Sequence, residues 1–505
     1  MKTTPISPIF ALFTLVGCSY TDESKSYHAE YDTSMYEQPH SEADISSEEV
    51  TTNPWVDTTD EFISTFSADV DSGSYSLMRR HINEDTIPDK STVRVEEFVN
   101  YFKYADIGEF GDLPFAVQLE SAPSFFGPAE DVHLLRIGIQ AEEIAESDRD
   151  PVNLVFLLDV SGSMQAPDKL GLVKYAMKHL VDKLSPEDTL AIVVYAGSEG
   201  VVLSPTQVQN KSEIMDALDA LEAGGSTNGE AGIRKAYELA ESAFRDDGVN
   251  RVIICSDGDM NVGLTGNALV KLIEEYRDKN IWLTTLGFGF GDYTYRDDLM
   301  EQLADHGNGN YAYIDTHNEA IRVLGDNLVS TLQVVAKDLK VQVEFDPDAV
   351  DRWRLIGYEN RVLENEDFVN DNVDAGDIGA GHSVTALYEV DLSDGVILGE
   401  DRNIGALATV RMRYKEPNAD QSTEHEWTLL PEERKFSFEE ATPSLRFAAA
   451  VTEFGEILRE SPHSEGQLLE DIQEIAAQSM AESGETPSKI EFLELVEKTQ
   501  MLLVE

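Results

Sequence analysis

Positive charge is scarce in this chain: 38 Lys and Arg stand against 96 Asp and Glu, a formal net charge of −58. A surface that acidic repels phosphate backbones, so nucleic-acid binding is excluded, as is recognition of anionic lipid by charge. Basic partners would be favoured, but solubility in a salty exterior is the plainer reading of such a charge. Cysteine is nearly absent, with only Cys18 and Cys255, so no disulfide is expected. Cys255 lies inside an apolar run and reads as a buried, inert thiol. The ten histidines include no H-x-x-x-H or other close pair, which leaves zinc without a ligand set. Long apolar runs are missing too. Residues 9–16 are apolar but too few to span a bilayer, and no other transmembrane candidate follows.

What the chain does have is one stretch that orders the rest, NLVFLLDVSGSM at residues 153–164. The apolar run 154–158 has the length of a buried strand and stops at Asp159. Asp159, Ser161 and Ser163 then alternate with Val160 and Gly162, which turns three oxygen-bearing side chains to one side of a tight loop. In an open α/β sheet, ligands bind outside the carboxyl ends of the strands. One carboxylate and two hydroxyls there suit a hard cation such as Mg²⁺. Taken alone, D-x-S-x-S is better explained by a serine-rich turn than by a metal site. Two later segments change that balance. GGSTN at 224–228 opens a helix and presents Thr227, and RVIICSD at 251–257 is a second apolar run ending in a carboxylate, Asp257.

Asp159, Ser161, Ser163, Thr227 and Asp257 together resemble the metal-ion-dependent adhesion site of the von Willebrand factor type A domain. The likeness extends to TFSADVDSGSY, VRVEEFVNYF, STNGEAGI, SDGDMNVG, NGNYAYIDT, RLIGYENR and DAGDIGAGHSVTALYE, which resemble the bacterial YfbK-like family of von Willebrand A lipoproteins. It runs from about residue 65 to the C-terminus. The one small departure is Ser256, where such domains often carry threonine. The resemblance implies a bound Mg²⁺ (or Mn²⁺) and metal-dependent binding of a protein partner that presents an acidic residue.

The chain divides by composition into six stretches. Residues 1–18 read as a lipoprotein signal peptide: Lys2 gives a short positive region, and Leu15-Val16-Gly17-Cys18 resembles a lipobox in which Cys18 is lipidated. Ser19 at the next position suggests sorting to the outer membrane. Residues 19–60 form an acidic tether, rich in Ser, Thr, Asp and Glu with Lys25 as its only cation, and cannot bury enough apolar area to fold. Residues 61–150 hold a short strand, two helices near 75–83 and 93–102, and two strands at 115–121 and 132–140. In SADVDSGS, Asp69 and Asp71 lack the distal Glu of a calcium loop and read as helix-capping residues. Residues 151–336 alternate strand and helix, the pattern of a doubly wound, mostly parallel sheet of von Willebrand A (Rossmann-like) type. The last helix of that stretch is expected over 318–335, and a short edge strand over 201–203. GFGFG at 287–291 reads as a flexible wall beside the metal or as a plain turn, and Asp259 as a residue that fixes its own loop. Residues 337–435 alternate apolar and polar at 339–345, 353–358, 384–390 and 407–414, as half-buried antiparallel strands do. Residues 436–505 repeat apolar residues at three and four, with Ile457, Leu458, Leu468, Leu469, Ile472, Ile475, Leu493, Val496 and Leu502 as packing positions.

Two isolated strands before residue 153 have too little to bury by themselves. The expected architecture is therefore a single β-sandwich built from both flanks, with the metal-binding α/β domain inserted between its strands and the C-terminal helices alongside. The expected function is a membrane-anchored, metal-ion-dependent, adhesion-type binding module of the bacterial cell envelope, facing the periplasm or the exterior, and not an enzyme. An envelope assembly or chaperone-like factor would use the same site. A Mg²⁺-dependent phosphohydrolase is the third reading, but Ser161 stands where haloacid-type enzymes need a second Asp, and the three site loops offer no Lys or Arg for a phosphoryl group. Anchoring can be checked directly: Cys18→Ser should move the protein from the membrane fraction to the soluble one, since a multiply acylated cysteine holds stably and no other segment would. Unchanged fractionation would place the anchor elsewhere.

Overall fold

A computed structural model describes residues 52–504, except 69, 105–107, 128–130, 197, 226–228, 259–265, 290–294, 374, 399–404, 418 and 420. Cys18 and nearly all of the tether, Asp69, Thr227, Asp259, Phe290 and Gly291 lie outside the described residues. The leading flank contributes strands β1 (Val56–Asp57) and β2 (Ile63–Ser67), helices α1 (Gly73–Asn83) and α2 (Val95–Asn100), and strands β3 (Phe115–Pro123) and β4 (Val132–Ala141).

The alternating stretch follows as β5 (Val152–Asp159), α3 (Leu172–Lys183), β6 (Thr189–Ala196), β7 (Ser198–Gln207), α4 (Lys211–Asp219), α5 (Gly229–Ser242), β8 (Val249–Ser256), α6 (Gly266–Arg277), β9 (Ile281–Phe288), α7 (Asp297–His306), β10 (Tyr311–Ile314), α8 (His317–Ile321) and α9 (Leu328–Leu332). Its sheet has the order β10-β9-β8-β5-β6-β7, parallel except for β7, which runs antiparallel to β6. The composition of β5 follows from its place at the centre. Leu154, Phe156 and Leu158 join one buried cluster with Val173, Met177 and Leu180 of α3. Val155 and Leu157 join another with Ile233 and Ala236 of α5. A strand covered on both faces shows no polar alternation. Because the chain leaves β5 for β6 on one side and later returns as β8 on the other, the crevice at the carboxyl ends of β5 and β8 is the topological switch point.

After the insert come β11 (Val334–Phe345), β12 (Val350–Ile356), β13 (Ile378–Gly379), β14 (Ser383–Leu392), α10 (Asp394–Leu398), β15 (Ala408–Lys415), β16 (Thr423–Leu429), α11 (Pro443–Leu458), α12 (Leu469–Ser483) and α13 (Pro487–Val504). The two flanks share both sheets of a sandwich. One sheet has the order β1-β12-β14-β4-β3, and the other β13-β11-β15-β16 with β2 also on β11. β4 of the leading flank pairs with β14 of the trailing one from Val132↔Asp391 to Gln140↔Ser383. β2 pairs with β11 from Ile63↔Glu344 to Ser67↔Lys340. Phe66, Ile137, Ile139, Val341, Val343, Tyr388 and Val410 meet in the core between the sheets. The neck of the insert is closed by Asp150 and Gln333. The Asp150 N–H donates to Gln333 Oε1, and Gln333 Nε2 donates to Asp150 Oδ2, each at 3.0 Å.

Helices α1 and α2 pack with α11–α13 around Tyr75, Phe98, Phe102, Phe447, Phe454 and Phe492. Phe102 meets Phe447 and Phe492 edge-on, with ring centroids at 5.1 and 5.7 Å. Buried charge then holds this helical layer to the insert. Arg79 of α1 donates to Asp315 and Glu319 of the insert, to Tyr101 at 2.7 Å, and to Glu491 of α13 at 3.0 Å. Removing one member of such a buried set typically costs about 3–5 kcal/mol, because a charge is left unpaired in low dielectric.

Several expectations are corrected. Helix 318–335 is broken: α8 passes into a wider turn at Arg322–Asp326, α9 ends at Leu332, and Val334 already belongs to β11. The β-branched pair Val334-Val335 serves the strand, where the sheet pairing of β11 with β13 outweighs helical periodicity. β7 spans ten residues rather than three, because an edge strand is held by its ladder to β6 despite its polar residues. Asp71 does not cap α1. Its carboxylate accepts the Tyr311 N–H of β10 at 2.9 Å and so links flank to insert. Leu468 is 54% exposed at the start of α12, whereas Leu458, Leu469, Ile472, Ile475 and Val496 are buried as expected.

The shared sandwich predicts how truncations behave. A fragment of residues 52–332 loses β14 and β11, leaving β2 without a partner strand and β4 with β3 alone, their apolar faces bare, and should aggregate. Residues 150–333 alone should stay soluble, since helices cover both faces of their sheet. A soluble, monomeric 52–332 fragment on size exclusion would contradict this account.

Candidate metal centre

The site forms where three segments meet at the carboxyl edge of the central sheet. β5 delivers Asp159, and β8, in parallel register beside it, ends at Ser256 and hands on Asp257. Both carboxylates are buried, Asp159 at 0% and Asp257 at 2% exposure. The third segment, Gly224-Gly225, is tied to the loop after β5. The Gly224 N–H donates to the Val160 carbonyl at 2.7 Å, and the Gly162 N–H donates to the Gly225 carbonyl at 3.2 Å. Gly225 has φ +101°, a conformation that favours glycine, and it brings the chain to the segment that carries Thr227. Thr227 itself is outside the described residues.

The loop after β5 is folded by its own side chains. Asp159 Oδ1 accepts the Ser161 N–H at 2.7 Å, and the Ser161 and Ser163 hydroxyls lie 2.8 Å apart. Ser163 is exposed, so the hydroxyl pair runs from the buried carboxylate to solvent. Burial pushes the Asp159 carboxyl up to about 6, the Asp257 charge adds to this, and the Ser161 N–H and hydroxyl oppose it. Tyr195, opposite Asp159 in register on β6, is fully buried, and desolvation holds its phenol protonated.

Two oxygens decide what the arrangement can do. Asp159 Oδ2 and Asp257 Oδ1 are both buried with no hydrogen-bond partner among the described residues. Burying a carboxylate oxygen unpaired is costly, so each calls for a donor or a cation. Two such oxygens at adjacent strand ends, beside two hydroxyls, fit a hard divalent ion that takes oxygen ligands. Among the described residues no three His, Cys, Asp and Glu side chains converge as a metal-ligand cluster. A site of two carboxylates and hydroxyls differs in kind from such a cluster.

One residue at the site escaped the sequence reading. Lys169 Nζ donates to Asp257 Oδ2 at 2.8 Å, with both side chains buried. It comes from the wider turn Pro167–Gly171 that precedes α3, where Lys169 alone departs from helical geometry. A lone lysine ten residues beyond Asp159 carries no mark of a site in the sequence, because only the folded chain brings it to Asp257. The supposed absence of a cation near the site is therefore corrected. The wall or turn expected at 287–291 is corrected at its start, since Gly287 and Phe288 end strand β9; Gly289 follows with φ +69°, and a Cβ there would lie 2.2 Å from Lys169 Cγ, so the glycine leaves room for the lysine stem.

Comparisons with known proteins identify the family. The model of the von Willebrand factor type A domain matches residues 153–326, one described as von Willebrand factor matches 42–136, and the YfbK C-terminal model matches 330–502. Protein YfbK of Escherichia coli (strain K12) is 38% identical over 457 residues, covering 86% of this chain and 77% of that protein. Inter-alpha-trypsin inhibitor heavy chain H2 of Mesocricetus auratus is 31% identical over 171 residues, covering 32% of this chain and 18% of that one. Among solved structures, a von Willebrand factor type A protein from Catenulispora acidiphila aligns at 18% identity with a TM-score of 0.43, covering 75% of this chain and 89% of that one. Von Willebrand factor type A domains commonly bind a divalent metal at a metal-ion-dependent adhesion site. The chain belongs to the YfbK family, with its von Willebrand factor type A domain at residues 153–326 set between flanks of one sandwich.

Proposed function

We propose that this protein is a lipid-anchored, metal-ion-dependent protein-binding module of the bacterial envelope. Asp159, Ser161, Ser163, Thr227 and Asp257 would hold a Mg²⁺ or Mn²⁺ ion, and Cys18 would hold the membrane. The observation that carries the reading is the pair of partnerless buried oxygens, Asp159 Oδ2 and Asp257 Oδ1, beside two serine hydroxyls that lead to solvent. When bound, the ion supplies an electrophile that accepts a carboxylate from a partner's Glu or Asp. The chain's own residues do the rest. Ser161 orients Asp159 through its N–H, and Ser163 keeps the site open at the surface. With three of the five ligands being neutral hydroxyls, few negative charges bear on the ion and it stays able to attract a further carboxylate.

Lys169 also bears on the phosphohydrolase reading, since it places a cation beside the site. Ser161 nonetheless stands where a second Asp would be needed, so binding is the better account.

Asp159→Ala and Asp257→Ala should each abolish Mg²⁺ and Mn²⁺ binding by calorimetry while the domain still folds, with Asp257→Ala the less stable because it leaves Lys169 buried without its carboxylate. At a metal concentration 100 times Kd, the wild type should gain about 2.7 kcal/mol of stability, lost in EDTA and absent from both variants. Undiminished binding in both variants would sink the assignment. Capture of envelope proteins should require Mg²⁺ and fail in EDTA. Thr227→Ala should weaken that capture more than it weakens metal binding, and equal losses would contradict the role given to its hydroxyl.

A further inference from the structure

Lys169 does more than sit near the proposed metal ligands. Its ammonium is the one described partner of Asp257, at 2.8 Å from Oδ2, with 8% and 2% of the two side chains exposed. The contact is built from several directions. The lysine stem runs past Gly289, where any Cβ would collide with it at 2.2 Å and where φ is +69°. Gly289 is itself held by its carbonyl, which accepts from the Tyr313 hydroxyl at 3.0 Å. On the other side, the preceding residue, Asp168, accepts from Arg80 of α1 at 2.7 Å. The turn that carries Lys169 is thus anchored to the leading flank, while its side chain reaches into the site.

We infer that Lys169 is a tethered internal cation that competes with the divalent ion for Asp257 and thereby sets how tightly the site takes metal. The inference rests on the metal-binding reading of the site. Its physical ground is charge. A buried carboxylate needs a positive partner, and Lys169 supplies one without cost in association entropy because it is covalently part of the chain. A divalent ion approaching Asp257 meets a carboxylate already neutralised and an ammonium that repels it, strongly so at separations of a few ångströms in a medium of low dielectric. Metal loading therefore drives the ammonium away from Asp257. Because Asp168 is held by Arg80, the displacement is felt at α1, which links the state of the site to the flank.

The test is Lys169→Met, which keeps most of the stem's bulk and removes the charge. Titrated with Mn²⁺ alone, the variant should bind about tenfold more tightly than the wild type, or better, as expected when a repelling charge is removed at short range. In EDTA it should melt at a lower temperature than the wild type, because Asp257 loses its counter-charge, and saturating Mn²⁺ should reverse the order. Equal or weaker Mn²⁺ affinity in the variant would overturn the lysine's role while leaving the metal site intact. Absence of Mn²⁺ binding in both proteins would overturn the metal site itself and this inference with it. A second measurement serves if the variant does not fold. Acetylation of Lys169 in the wild-type protein, read by mass spectrometry, should rise several-fold on adding saturating Mn²⁺ as the amine leaves Asp257. Unchanged labelling at saturating metal would overturn the displacement.

Discussion

The ladder between β4 and β14 is the constraint on which the rest of the molecule depends. It joins residues 132–140 to residues 383–391, and the whole α/β domain lies in the chain between them. Closing so long a loop costs only slowly growing entropy, which the shared apolar core can offset. Once the ladder forms, the insert's two ends are brought together, and Asp150 and Gln333 fasten them. The second ladder, β2 on β11, repeats the arrangement in the facing sheet. Neither flank is a domain by itself, since each supplies strands that only the other can cover.

That frame leaves the insert free to be an ordinary doubly wound sheet, with its ligand edge at the switch point between β5 and β8. Buried ion pairs, together with Leu77 of α1 set among the insert's apolar side chains, hold the helical layer against it. Arg79 gathers Asp315 and Glu319 of the insert, Tyr101 and Glu491 around one guanidinium. Arg94 does the same for Glu97 and for Asp297 and Glu301 of α7. Such contacts specify geometry more than they add stability, because each charge must first be desolvated. The result is a rigid mount for the loop that carries Lys169, whose neighbour Asp168 reaches back to Arg80 of the same helix.

Much of this was legible in the sequence because burial writes plainly. β5 is apolar on successive residues because helices cover both its faces, and the abrupt carboxylates at Asp159 and Asp257 mark where two such strands end. The need to cover lone strands pointed to a sandwich drawn from both flanks, and the ladders follow that logic. Other features were hidden for equally physical reasons. β16, with the sequence TEHEWTL, lies at a sheet edge and is mostly exposed, so it carries little apolar signal. The break before Val334 was masked by leucines and valines that suit either a helix or a strand. Lys169 was invisible because its role depends on a turn and on Gly289, which approach each other only in the folded chain.

The central claim is that a divalent ion sits among Asp159, Ser161, Ser163, Thr227 and Asp257. Anomalous diffraction from crystals of the full chain soaked in Mn²⁺ tests it most directly. The account predicts one strong peak at the carboxyl ends of β5 and β8, within direct or water-bridged reach of these five side chains, with Lys169 Nζ moved off Asp257. Crystals saturated with Mn²⁺ that show no peak there, and Lys169 still paired with Asp257, would contradict it.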